Sequence, residues 1–184
     1  MHLPAYDPQR DIALRLLAEG WHADQTADPR KPASRWILRA PGRRHRLILA
    51  RDYAGTFAEL AGLSATDTPL GLPTWRVIVH TAGADTVLAA ARATVDAPAP
   101  AIPADQRRYT ARLLRAQGWT GTTGRLALLT RATTTFTAPD GNRAVVWTAP
   151  GRRRTGGWDV TGTGLRVAAH PSTPAVVLNA IATG

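Results

Sequence analysis

At 184 residues, 44% of them apolar, the chain can build one ordinary domain or two small ones around a packed core. It contains no cysteine, which excludes disulfide scaffolds, thiolate metal sites and cysteine nucleophiles. A formal net charge of +10 predicts an acidic partner, nucleic acid first, because such a surface attracts polyanions and repels itself.

The charge is uneven along the chain. Residues 1–105 hold 12 basic and 11 acidic side chains, whereas residues 106–184 hold 11 basic and only two acidic ones, Asp140 and Asp159. Of the 23 basic residues only Lys31 is lysine; arginine grips phosphate bidentately and stacks on bases, which lysine does not. The start, MHLPAYDPQRD, lacks a basic segment followed by an apolar one, and no apolar run approaches the roughly 18 residues of a membrane span. A soluble, cytoplasmic protein without membrane contact is expected.

In chain order, Asp7 as N-cap and Pro8 at the first position predict an amphipathic helix that exits at Gly20, with Trp21 folding back onto the core. RWILRA, HRLILAR and TWRVIVH have strand composition, PGRR is a turn, and TFAELAGL reads as an inserted segment. ADTVLAAARATV is a helix, and DAPAPAIPAD over 96–105, with three prolines, is a stiff linker. Asp105 then caps a helix, DQRRYTARLLRAQ, that leaves at Gly118. Its spacing puts Tyr109, Leu113 and Ala116 on a buried face and Arg108, Arg112 and Arg115 on another. LALLT, TTTFTA, AVVWTA, GWDV and LRVAAH are expected strands, PDGN and PGRRRTGG hairpin turns, and GTTG and GTG simple turns. TPAVVLNAIA closes the chain as a helix, with Thr173 as cap and Pro174 at the first position.

The two halves repeat each other. A shift of 98 takes LLAEGW (Leu16 to Trp21) to LRAQGW (Leu114 to Trp119) and Ala40-Pro41 to Ala138-Pro139; a shift of 90 takes RVIVH (Arg76 to His80) to RVAAH (Arg166 to His170). The twice-occurring APGRR, at Ala40 and Ala149, needs a shift of 109 and belongs to a different register. The expected fold class is α+β: two tandem repeats, residues 1–95 and 105–184 joined by a linker at 96–104. Each is an antiparallel β-meander with flanking helices on one face, and the two pack as a pseudo-dimer. The chain is expected as a monomer with this internal pseudo-symmetry or as a homodimer.

The second half, in the order QGW, TAPDG, GGWDV and HPSTPAVVLNAIA, resembles the actinobacterial family catalogued as domain of unknown function 317, from about Arg107 to Gly184. That resemblance implies a Thr-Pro at the start of the closing helix and an association with plasmid or phage proteins, hence with DNA transactions. The first half departs from the pattern, with Gly42-Arg43 where the second has Asp140-Gly141 and Gly83-Ala84 in place of Thr173-Pro174. The tandem layout is also similar to that of Whirly and single-stranded-DNA coactivator proteins.

Arginine at hairpin tips is the leading candidate for chemistry. Arg43, Arg44 and Arg46 crowd one turn and Arg152, Arg153 and Arg154 another, neither with an acidic neighbour, and Arg39 and Arg143 stand beside predicted turns. Arg108, Arg112 and Arg115 form a basic helix face, against Arg10, Leu14 and Leu17 in the first half, whose leucines are expected to pack under TFAELAGL. Trp147, sharing a strand face with Val145, is the tryptophan expected to stack on bases. His80 and His170, each closing a strand, are read as structural hydrogen-bonding residues. With Glu19 and Glu59 the only glutamates and no phosphate-binding glycine loop carrying lysine, no catalysis, metal or cofactor is expected. The expected function is non-enzymatic binding of single- or double-stranded DNA through its phosphates; the alternative is an assembly module whose open sheet face joins a protein partner.

Overall fold

A computed structural model describes residues 7–24, 35–42, 44–52, 55–63, 73–95, 97, 103–126, 131–151 and 155–184. The chain runs α1 (Pro8–Ala18), β1 (His22–Ala23), β2 (Trp36–Arg39), β3 (His45–Asp52), β4 (Gly55–Leu63), β5 (Pro73–Thr81), α2 (Ala84–Val95) and α3 (Pro103–Ala116). It continues through β6 (Thr120–Leu126), β7 (Arg131–Thr137), β8 (Arg143–Thr148), β9 (Gly157–Gly162), β10 (Leu165–Ala169) and α4 (Ala175–Thr183). Among the described residues this is an α+β architecture with an open antiparallel sheet of ten strands, ordered β1-β2-β3-β4-β5-β10-β9-β8-β7-β6. Among the described residues no helix is long and apolar enough to cross a membrane.

Helix ends follow local chemistry. Asp7 caps α1 by accepting from the Gln9 and Arg10 amides, and Pro8 opens the first turn, where its missing N–H costs nothing. Gly20 and Gly118 leave α1 and α3 at φ 88° and 83°, and each of the following tryptophan amides donates back into the helix, to Leu16 and Leu114. Asp105 is not a cap: α3 begins at Pro103 and Asp105 lies in its first turn, because proline serves as well as a capping residue for opening a helix. Thr173 does not cap α4 either. Pro174 occupies the cap position without a side-chain bond, Thr173 Oγ1 is buried without a partner, and the Ala175 amide donates 2.8 Å to Gln106 Oε1 of α3. A neighbouring helix thus supplies the cap that the local sequence fails to form.

The strands alternate between two faces. Register places Trp36, Leu38, Leu47, Leu49, Leu60, Val77 and Val79 on one face of the first five strands, continued by Val167, Val160, Trp158, Val145, Trp147 and Phe136. These residues and Ile12, Leu16, Leu88, Leu114, Leu178 and Ile181 of the helices form one core. The helices α1 to α4 therefore lie on this face. α2 and α4 meet closely because small residues line them: a Cβ on Gly184 would stand 3.4 Å from that of Ala89.

Two strand expectations are corrected. TFAELAGL is no insertion; it is β4, hydrogen-bonded on both sides inside the sheet. Leu14 consequently has nothing to pack under and is 51% exposed. GTTG lies within β6 and not in a turn, while most of LALLT falls outside the described residues. Neither glycine of that segment interrupts pairing, since β6 runs against β7 over Thr120 to Leu126 without a bulge.

Candidate nucleic-acid interface

The basic helix face exists, and it is exposed. Arg108, Arg112 and Arg115 of α3 all face solvent, but the buried stripe is Gln106, Thr110 and Leu114, and not Tyr109, Leu113 and Ala116. Tyr109 is 44% exposed and Ala116 is exposed, because the Gln106 bond to α4 rotates the helix so that the i, i+4, i+8 positions from Gln106 face inward. On the side of α3 toward the sheet margin, an Arg107 Nη2 donates 3.2 Å to Thr134 Oγ1, and the Arg115 guanidinium sits 6.0 Å from the Phe136 ring centre.

Ion pairing divides the chain. In the first half Arg15 pairs with Asp11 at 3.0 Å, Arg92 with Glu19 at 2.6 Å, Arg39 with Asp24 at 3.0 Å, and Arg76 and Arg46 with Glu59 at 2.8 and 3.9 Å. The Arg92 contact holds the Glu19 carboxyl below its ordinary range. Among the described residues no arginine after residue 105 has a carboxylate within 4.0 Å. Among the described residues the arginines of the second half are therefore free of carboxylate partners, which is what an anion-binding surface requires.

The remaining candidates scatter. Arg44 is exposed beside the β2–β3 turn, where Gly42 takes φ 81°; Arg43 and Arg152 to Arg154 lie outside the described residues. Arg39 and Arg46 lie on the helix-free face, engaged with acids as above. Arg143 is turned inward, donating 2.8 Å to the Ala182 carbonyl and 3.3 Å to that of Gly184, so it neutralises the negative end of α4 in place of a ligand. Trp147 is corrected outright: it is 4% exposed on the helix-covered face, 4.7 Å from Trp158 between ring centres, and offers no stacking surface. Its strand has apolar residues at both parities, Ala144 and Val146 as well as Val145 and Trp147, so alternation alone could not say which pair faces the core.

The helix-free face carries a row in register across nine strands: Ile37, Ile48, Glu59, Ile78, Ala168, Asp159, Val146, Thr135 and Thr122. Sequence reasoning missed it, because it needs the β5–β10 pairing. At its centre a groove of about 1010 Å³ opens, lined by Arg76, Ile78, Asp159, Ala168 and His170 among others. Among the described residues no three His, Asp or Glu side chains converge as metal ligands.

His170 accepts the Ser172 amide at Nδ1, 3.2 Å, a structural bond. Burial pushes both His170 and His45 below the usual 6.5, with Arg44 adding to the push on His45. A folded value below the unfolded one means the unfolded chain binds more protons as pH falls through 6.5, so stability is full above that pH and declines toward the depressed folded values. The urea midpoint is expected to fall between pH 7.5 and about pH 5.5. Combining His170→Asn, which keeps an acceptor for Ser172, with His45→Gln should flatten that slope; an unchanged slope would assign it to other groups.

No protein-family model, no curated protein and no solved structure matches the chain.

Proposed function

We propose that this is a non-enzymatic nucleic-acid-binding protein, acting on DNA in the cytoplasm, held to the phosphate backbone by the arginines of its second half. The observation that carries the reading is the row Arg108, Arg112 and Arg115, without a carboxylate partner among the described residues, set against a first half in which Arg15, Arg39, Arg46, Arg76 and Arg92 pair with acids. At a rise of about 1.5 Å per residue the row is roughly 10 Å long, about three nucleotide steps of a duplex strand. Arg44, exposed beside the β2–β3 turn, would extend this hold.

The same proposal reads the chain as tandem units, residues 1–95 and 105–184, packed as a pseudo-dimer, with the second related to the domain of unknown function 317 family. Corresponding registers support it. Trp36↔Leu49 and Leu38↔Leu47 become Thr134↔Trp147 and Phe136↔Val145 under the shift of 98. At the seam, Val77↔Ala169 becomes Val79↔Val167 under the shift of 90, as a local two-fold beside Ile78 and Ala168 would require.

Titrating labelled single-stranded DNA, duplex DNA and RNA of equal length at two salt concentrations, read by anisotropy, tests the function. Binding in the micromolar range that weakens steeply with salt is expected; no binding to any of the three at low salt sinks the reading. The second reading, assembly through the helix-free face, is favoured by the mostly apolar row through Ile48, Ile78 and Ala168. Under it, Ile78→Asp should abolish partner capture while neutralised arginines leave it intact.

A further inference from the structure

The two margins of the sheet are unlike. β1 is two residues long, whereas β6 presents seven residues whose outer backbone groups have no partner among the described residues. Natural edge strands are usually protected by charge, proline, a bulge or brevity; β6 has no proline or bulge, and no charge before Arg125, its sixth residue. Threonine at 120, 122 and 123 favours extended backbone, and residues 120–124 are all exposed. Such an edge is a template for one more strand.

The residues above it say which kind. Gly121 and Thr123 point to the helix-covered side, in register with Phe136 and Thr134. A Cβ on Gly121 would lie 3.8 Å from Arg115 Nη2, so that guanidinium stands directly over the margin. Arg108, seven residues earlier, lies on the same side of α3, two turns away, and neither arginine has a carboxylate within 4.0 Å among the described residues. A second copy of this chain pairing through β6 would bring Arg108 and Arg115 of both copies together, like charge against like. A strand with acids at alternate positions would instead place each of them beneath these guanidiniums, because side chains on one face recur every second residue.

We propose that the β6 margin is a strand-addition site for an extended acidic segment of a partner protein, with alternating glutamate or aspartate facing Arg108 and Arg115. It goes beyond nucleic-acid binding and fails separately from it, since its primary readout is the β6 backbone. The probe is a peptide matched in length to β6, alternating glutamate with valine or threonine. Two controls accompany it: an isomer with the glutamates clustered at one end, and a form N-methylated at every second residue, which keeps the charge and cannot extend the ladder.

Measured by anisotropy, with hydrogen exchange of the Thr120 to Leu126 amides in parallel, the alternating peptide is expected to bind and to slow exchange in β6. Both controls and the Arg108→Glu, Arg115→Glu double variant are expected to bind at least tenfold more weakly. The controls alter only the peptide, so they remain decisive whatever the variant does to folding. Equal binding of the N-methylated form would reduce the effect to charge attraction and overturn the proposal. So would oligonucleotide binding with no peptide binding, or β6 amides already slow in a protein that sediments as a dimer, which would give the margin to a second copy.

Discussion

Changing Arg108, Arg112 and Arg115 together to glutamine is expected to weaken DNA binding on the order of a hundredfold at ~0.15 M salt and to reduce the salt slope by about three units. Each arginine that releases a counterion from a phosphate contributes roughly 0.9 to the slope of log K against log salt, and none of the three has an ion pair to lose among the described residues. The side chains are exposed on α3, and glutamine is nearly as good a helix former as arginine, so folding should be unaffected. The contrast comes from the first half. Neutralising Arg39, Arg46 and Arg76 removes as many charges, yet these already sit against Asp24 and Glu59, so binding should change far less while stability drops. Equal losses from the two triple variants would mean that net charge alone attracts DNA and that α3 has no special place.

Much of this arrangement was legible because it is local. Asp7-Pro8 and the Gly-Trp exits at 20–21 and 118–119 announce helix boundaries through capping and positive φ, and ADTVLAAARATV coincides with α2. The Asp140 carboxylate accepting the Asn142 amide, with Gly141 at φ 72°, is the turn that PDGN predicts. What was illegible depends on partners distant in sequence. GTFAELAGL and TGTTGRL have glycine, alanine or glutamate where strand formers are expected, and become strands through the neighbours they pair with. The buried face of α3 was misread for a similar reason: Tyr109 and Leu113 are apolar, but Gln106 is the residue that α4 needs. The arginine row was readable from spacing alone, whereas its lack of acidic partners among the described residues, and the pairing of Arg15, Arg39, Arg46, Arg76 and Arg92, required tertiary geometry.

Gly62→Ala is expected to destabilise the fold by about 3 kcal/mol, although it adds a single methyl group. A Cβ at this position would fall 2.1 Å from Trp75 Nε1 and 2.6 and 2.8 Å from two carbons of the same indole. Gly62 pairs directly with Trp75 across β4 and β5, and both are on the helix-covered face, so the ring lies flat over the glycine. The indole cannot simply step aside: Trp75 is 2% exposed, and its ring already meets His45 at 5.8 Å between centroids. Overpacking must then be relieved by moving Trp75 off its site or by bending β4 away from β5, and β4 is paired on both edges. Elsewhere in a strand the same substitution should stabilise, since alanine loses less backbone entropy than glycine on folding. A double-mutant cycle separates these terms. In a Trp75→Leu background, where the ring is absent, the cost of Gly62→Ala in urea unfolding should nearly vanish or change sign. A cost that persists undiminished would show that the backbone of β4, and not the indole above it, demands glycine.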